Sequence, residues 1–178
     1  SWVYNFDGSL YKAPHLDVDT ADKKFHLNKV KSETWGGFIF INLDKKPSSF
    51  KKYIKNISDQ FIRYPLNELV SSRSYQYEVS ANWKVILENY NECYHCAGVH
   101  PELVSIVPAF KENGANGLDW EKGVPHRNGA NTFTFKGTTN RDPFSGLNES
   151  EKDNHFGQAL YPNLMMSLSM DHVAAFIL

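Results

Sequence analysis

Between Asn82 and Pro101 the apolar positions Trp83, Ile86, Leu87, Tyr90 and Tyr94 follow the i, i+3, i+4, i+7 spacing of a helix that buries one stripe. On the opposite side Glu88, Glu92 and His95 fall within roughly 60° of one another. A solvent face ordinarily mixes polar types, whereas this one sets two carboxylates and an imidazole in register. The pattern then runs into Cys93, His95, Cys96 and His100, ahead of Pro101.

Elsewhere the alternation of apolar and polar positions predicts both strands and helices. Residues 2 to 11 read as a hairpin, with aromatic runs on either side of an Asp7-Gly8 turn. The continuous run from Trp35 to Leu43 predicts a buried strand. Phe50, Tyr53, Ile54, Ile57 and Phe61 predict an amphipathic helix over 50–62 whose lysine-rich side faces water. Tyr75, Tyr77 and Val79 alternate with polar residues, a strand signature leading into the helix at 83. Pro101 suits the first position of a short second helix. Residues 108 to 130, rich in glycine, form a long loop; 132–136 alternates as a strand, and 137–157 is polar and turn-rich. The end, from Tyr161 to Leu178, predicts one or two strands broken near Asp171. Antiparallel-looking strands and a few helices without βαβ alternation indicate an α+β fold.

A chain of 178 residues suits one domain, burying roughly 70% of its unfolded surface. Nineteen basic against 20 acidic residues leave a net charge of -1, which gives no electrostatic claim on nucleic acid or an anionic membrane. No apolar run approaches the roughly 20 residues of a membrane span, and the start lacks the build of a signal peptide, so the expected compartment is cytoplasmic. Cys93 and Cys96, three apart, read as reduced thiols. The chain opens without Met and closes on an apolar run, so both ends are expected to be truncated.

On an unbroken helix His95 and His100 would stand about 140° apart and could not share an ion. Gly98 lies between them and tolerates a break, and Pro101 stops the helix from continuing unchanged, which lets the two imidazoles converge. Two neutral imidazoles with a carboxylate and open positions fit a mononuclear non-haem Fe(II) site. Cys93, His95, Cys96 and His100 also suit zinc, although structural zinc sites draw ligand pairs from separated segments. Glu92-Cys93-Tyr94-His95 is a Glu-x-x-His unit as used in di-iron bundles, but no second copy exists. In the plainest reading the histidines only cap or pack a helix end. Phe110, Trp120, Phe133 and Phe135 can line a pocket or fill the core, with core the preferred reading.

Asn82-Trp83-Lys84, Glu88-Asn89-Tyr90, Glu92-Cys93-Tyr94-His95 and His100-Pro101-Glu102-Leu103 together resemble the mononuclear-iron signature of the large (alpha) subunit of Rieske-type ring-hydroxylating oxygenases. Trp2 to Leu10 resembles the strands after the Rieske cluster, and Trp35 to Leu43 the end of that domain. Glu-Cys-Tyr-His, with the loop from Pro108-Ala109-Phe110, resembles the branch acting on quaternary ammonium compounds, such as glycine betaine or carnitine oxygenases. The resemblance implies His95 and His100 as iron ligands. It also implies Glu92 as the acidic link to the Rieske centre of a neighbouring subunit, where many members carry Asp. It leaves Asn89 and Glu88 without a role. The Cys-x-x-His pair of the [2Fe-2S] centre would lie just before Ser1 and the third iron ligand, an Asp, past Leu178; the context of Asp171 does not match that ligand.

The reading that follows has a remnant of a Rieske β domain at 1–45. A partial helix-grip (START-like) catalytic domain with an antiparallel sheet occupies 46–178. The intact protein would be an oxidoreductase using O₂ and electrons from a [2Fe-2S] cluster to hydroxylate an aromatic or quaternary-ammonium small molecule at Fe(II). It would take electrons from a reductase or ferredoxin and assemble as a homotrimer; the fragment alone would not turn over. The other reading is a START-like ligand-binding module with structural histidines.

Overall fold

The computed structural model describes residues 1–178, the side chain of Asn113 excepted. The chain divides into two compact units, Ser1–Asn56 with Leu66–Glu68, and Ile57–Pro65 with Leu69–Leu178.

The first unit is built from two hairpins. β1 (Val3–Tyr4) pairs antiparallel with β2 (Leu10–Lys12). The turn is longer than the two residues expected, because Tyr4 pairs with Leu10 and the loop folds on itself. Ser9 donates from both its N–H and its hydroxyl to Asp7 Oδ1, at 2.9 and 2.6 Å. The run from Trp35 to Leu43 is not one buried strand. It divides between β3 (Lys31–Trp35) and β4 (Phe38–Asn42), joined at Gly36-Gly37. Both glycines take positive φ, +61° and +82°, as a type I′ turn requires. A two-stranded ribbon covers only one side, so Ile39 and Ile41 remain 76% and 68% exposed. Gly36 lies against Leu66, and the Gly37 N–H donates to Asn67 Oδ1 at 3.2 Å. The predicted amphipathic helix is α1 (Phe50–Gln60), with Ile54 buried, and the division between the units falls within it.

The second unit carries the helices α2 (Trp83–Asn91), α3 (Cys96–Val99) and α4 (Pro101–Ile106), then the two-residue strand β5 (Val124–Pro125) and α5 (Glu149–Asp153). The strands β6 (Asn154–Leu160), β7 (Leu164–Leu168) and β8 (Val173–Ile177) complete an antiparallel sheet in the order β5-β6-β7-β8. Helices and antiparallel sheets together make the fold α+β. The expected break near Asp171 is the turn between β7 and β8. Every residue of β7 is buried, because it pairs on both edges and is covered on both faces.

Two predicted strands do not form. Residues 75–79 join no ladder, and Tyr75 and Tyr77 are 70% and 80% exposed. Alternation makes a segment fit to pair, but pairing also needs a partner strand, and 75–79 lies in no sheet. Residues 132–136 close a tight turn instead: Asn131 N–H donates to the Gly137 carbonyl at 2.7 Å, while Thr132 is drawn inward to Asp171. β6 was hidden in the stretch read as turn-rich. Its start is set by α5, whose capping box joins Asn148 and Glu151 reciprocally, both at 2.9 Å.

One core cluster gathers Cys96, Val104, Ile106, Val107, Phe110 and Val124 directly behind the His95–His100 segment. Elsewhere in this unit Arg63 forks onto Glu151 with two bonds of 2.7 Å.

Candidate metal centre

The site is set by where α2 stops. Asn82 caps it, Oδ1 accepting from Lys84 N–H at 2.9 Å, and Leu87 is buried on the expected stripe. The stripe does not reach Tyr94, which is 85% exposed. The helix ends at Asn91, and Glu92 is extended, with φ -122° and ψ 148°. Its carboxylate takes the Tyr94 N–H at 2.8 Å, a side-chain bond that competes with helical pairing. His95 then heads α3, and His100, with φ -124° and ψ 64°, separates α3 from α4. Pro101 at the first position of α4 keeps His100 out of helical geometry. The expected break at Gly98 is therefore corrected: Gly98 lies within α3, and the chain turns at Glu92 and at His100.

These two breaks bring the imidazoles together, with ring centroids 5.3 Å apart and planes at 74°. Glu92 and His95 also meet, His95 Nδ1 lying 2.5 Å from Glu92 Oε1. They meet across the chain reversal rather than on a shared helical face. The hydrogen bond from His95 holds the Glu92 carboxyl below its ordinary range against a smaller opposing effect of burial; the Tyr94 N–H and Asn89 assist. An N–H on His95 Nδ1 suits the short contact to Glu92, while His95 Nε2 lies 3.4 Å from the Asn89 amide nitrogen. Asn89, given no role by the sequence, places its amide nitrogen 3.5 Å from Glu92 Oε1 and 3.3 Å from His95 Nδ1. Glu88 is exposed and does not face this group.

Two imidazoles on one side, one oriented by a carboxylate, fit a partial iron site. Among the described residues no group of three or more His, Cys, Asp or Glu is arranged to hold an ion. Cys93 and Cys96 are free, and burial pushes both thiols upward. Asp171 serves another purpose. Its side chain is fully buried, paired to Arg141 at 2.8 and 2.9 Å, to Thr132, and to His172 Nδ1 at 2.9 Å.

Glu92, His95 and His100 line a cavity of about 710 Å³. Phe110, Trp120 and Phe133 line it as well, with Phe110 and Trp120 stacked at 5.8 Å. Phe110 belongs at once to the core cluster, so the choice between core and pocket does not separate these rings. Phe135 does neither, being 87% exposed. The wall also holds His155, stacked on Phe133 at 4.3 Å. Burial, aided by His126 and His172, pushes its pKa down to about 3, so the ring is neutral. Nothing in the sequence around His155 marked it. Its signal is burial, which a turn-rich stretch conceals.

Residues 66–178 match the family model described as ring hydroxylating alpha subunit (catalytic domain). The chain is 32% identical over 107 residues to the glycine betaine monooxygenase oxygenase subunit of Pseudomonas aeruginosa, covering 60% of the chain and 25% of that protein. It is 32% identical over 115 residues to the carnitine monooxygenase oxygenase subunit of Acinetobacter baumannii, covering 62% of the chain and 31% of that protein. Aligned regions thus span a quarter to a third of these relatives. A crystal structure of the quaternary ammonium Rieske monooxygenase CntA superposes with a TM-score of 0.62 at 24% identity, over 96% of the chain and 43% of that structure. At that identity the likeness is one of fold. No helix among the described residues is long and apolar enough to cross a membrane.

Proposed function

Because the chain belongs to the ring hydroxylating alpha subunit (catalytic domain) family, we propose that it forms part of a Rieske non-haem iron oxygenase acting on a quaternary ammonium compound. In this reading residues 1–45 are the end of a Rieske β domain and 46–178 part of a helix-grip catalytic domain. His95 and His100 hold a mononuclear Fe(II), with a third ligand and the [2Fe-2S] ligands supplied from outside these residues. When bound, iron supplies the activation of O₂ for hydroxylation of a substrate C–H bond. Electrons come from a reductase or ferredoxin, and the assembly is a homotrimer.

The observation that carries the proposal is the convergence of His95 and His100 at 5.3 Å beside an aromatic cavity. Glu92 fixes the His95 tautomer and ring direction, the role an outer carboxylate plays for a ligating histidine. As the link toward the [2Fe-2S] centre it acts on this pair by holding the proton on Nδ1. Phe110, Trp120 and Phe133 offer π faces and apolar cover suited to a cationic head group. The relatives named for glycine betaine and carnitine support that substrate class.

Anaerobic titration of the chain with Fe(II) tests the site. Wild type binds one equivalent, and His95→Ala and His100→Ala each weaken binding by at least about tenfold. Binding unchanged in both variants overturns the assignment.

A further inference from the structure

Cys93 and Cys96 are the two cysteines of the chain, and the function proposed above uses neither. The Cys96 N–H donates to the Cys93 carbonyl at 3.0 Å and closes a turn. The ends of such a turn lie within about 7 Å, close to the Cα span of up to about 6.8 Å that a disulfide bridges. The two thiols are within hydrogen-bonding reach of each other, and both residues line the cavity that holds the His95 and His100 imidazoles. Their burial differs. Cys93 is half-buried in the wall, whereas Cys96 is 3% exposed and belongs to the core cluster behind it. Tyr94 and His95 lie between them, so a bond joining the sulfurs encloses the His95 residue in its ring. A loop this short adds less stability than a long one, which suits reversible chemistry rather than stapling of the fold.

We infer that Cys93 and Cys96 form an oxidation site, a dithiol that hydrogen peroxide converts to an internal disulfide. The Cys93 sulfur, the more open of the two, attacks one peroxide oxygen. The O–O bond breaks, water leaves with the thiol proton, and Cys93 carries a sulfenic acid. The Cys96 sulfur then attacks the Cys93 sulfur, the S–O bond breaks, and a second water leaves with the Cys96 proton. Two electrons pass from the sulfurs to the peroxide, giving one disulfide and two waters. Burial pushes both thiols upward, which slows their reaction with dilute peroxide and favours oxidant released beside them. The proposed oxygenase chemistry supplies such an oxidant, because O₂ that takes up two electrons and two protons without being spent on substrate leaves as hydrogen peroxide. The dithiol itself needs no iron, so it stands or falls apart from that reading.

Treatment of the metal-free chain with excess hydrogen peroxide, followed by trypsin and mass spectrometry, tests the site. Both sulfurs fall in the peptide that follows Lys84 and ends at Lys111. In wild type that peptide loses two hydrogens within about an hour, and dithiothreitol restores both thiols. Cys96→Ser stops at a single added oxygen that dimedone traps, because the thiol that displaces water is gone. Cys93→Ser leaves only the buried thiol, which reacts about tenfold more slowly than the Cys93 thiol of the other variant. Oxygen added to the wild-type sulfurs without loss of the two hydrogens overturns the assignment. So does a disulfide that joins two chains, or a peptide that stays unchanged while the urea-unfolded chain is oxidised. Fe(II) binding by His95 and His100 is decided separately, by its own titration.

Discussion

His155 ties the chain to pH. Its folded pKa of about 3 lies below the ordinary value of 6.5, because burial disfavours the charged ring. Above pH 6.5 the ring is neutral folded or unfolded and adds nothing. As pH falls below that, the unfolded chain takes up a proton that the folded one refuses. Stability therefore declines at up to about 1.4 kcal/mol per pH unit down toward the folded value. His155→Phe removes that uptake. Urea denaturation of the two proteins between about pH 7 and pH 5 should show the variant losing less stability than wild type, by about 1 kcal/mol per unit. Parallel slopes would show that the ring is not held neutral. Glu92 works in the opposite sense, since its partner His95 lowers its carboxyl.

Among the elements, α2 presents Glu92 and His95 through the way it ends, so its start matters as much as its stripe. Asn82→Ala removes the bond to Lys84 N–H and should cost about 1 kcal/mol, read as a lower urea midpoint at unchanged slope, while Asn82→Asp keeps the cap. Periodicity made this helix legible, because Trp83, Ile86, Leu87 and Tyr90 repeat its turn. Its end was not legible. Periodicity carries on to Tyr94, whereas the stop is a single carboxylate taking a backbone N–H two residues on. In the same way Tyr75, Tyr77 and Val79 show a strand's alternation but say nothing of a partner edge, and Trp35 to Leu43 shows apolar continuity that two glycines fold back. Spacing and composition located the imidazole pair, since crowding of ligands in ten residues is a local fact. His155 and Asn89 were missed because what distinguishes them is their contacts, with Phe133 and with Glu92 and His95.

Across the whole second unit, long-range electrostatics hold what local pattern cannot. Arg63 and Glu151 lie 88 residues apart and meet in a bidentate pair. Burial alone would raise the Glu151 carboxyl, but the Arg63 bond and the Asn148 N–H outweigh it and the pKa is lowered. A depressed carboxyl contributes stability above its unfolded value of about 4.3, and that contribution is lost as pH falls through the folded value. Glu151→Gln should cost about 1–3 kcal/mol near neutrality, less than for a fully buried pair because Arg63 is 47% exposed. The difference from wild type should shrink below about pH 4 in acid-unfolding curves. A constant difference would assign the loss to packing.

The bond from the Tyr90 hydroxyl to the Met166 carbonyl, 2.6 Å long, joins the last turn of α2 to the middle of β7. β7 is the one strand here gripped by neighbours along both edges and buried throughout. It therefore acts as the datum from which the imidazole pair is measured. Glu92 stands two residues past that anchor, His95 five and His100 ten. Breaking this bond with Tyr90→Phe would free the end of α2, and with it the start of the imidazole segment, from the sheet.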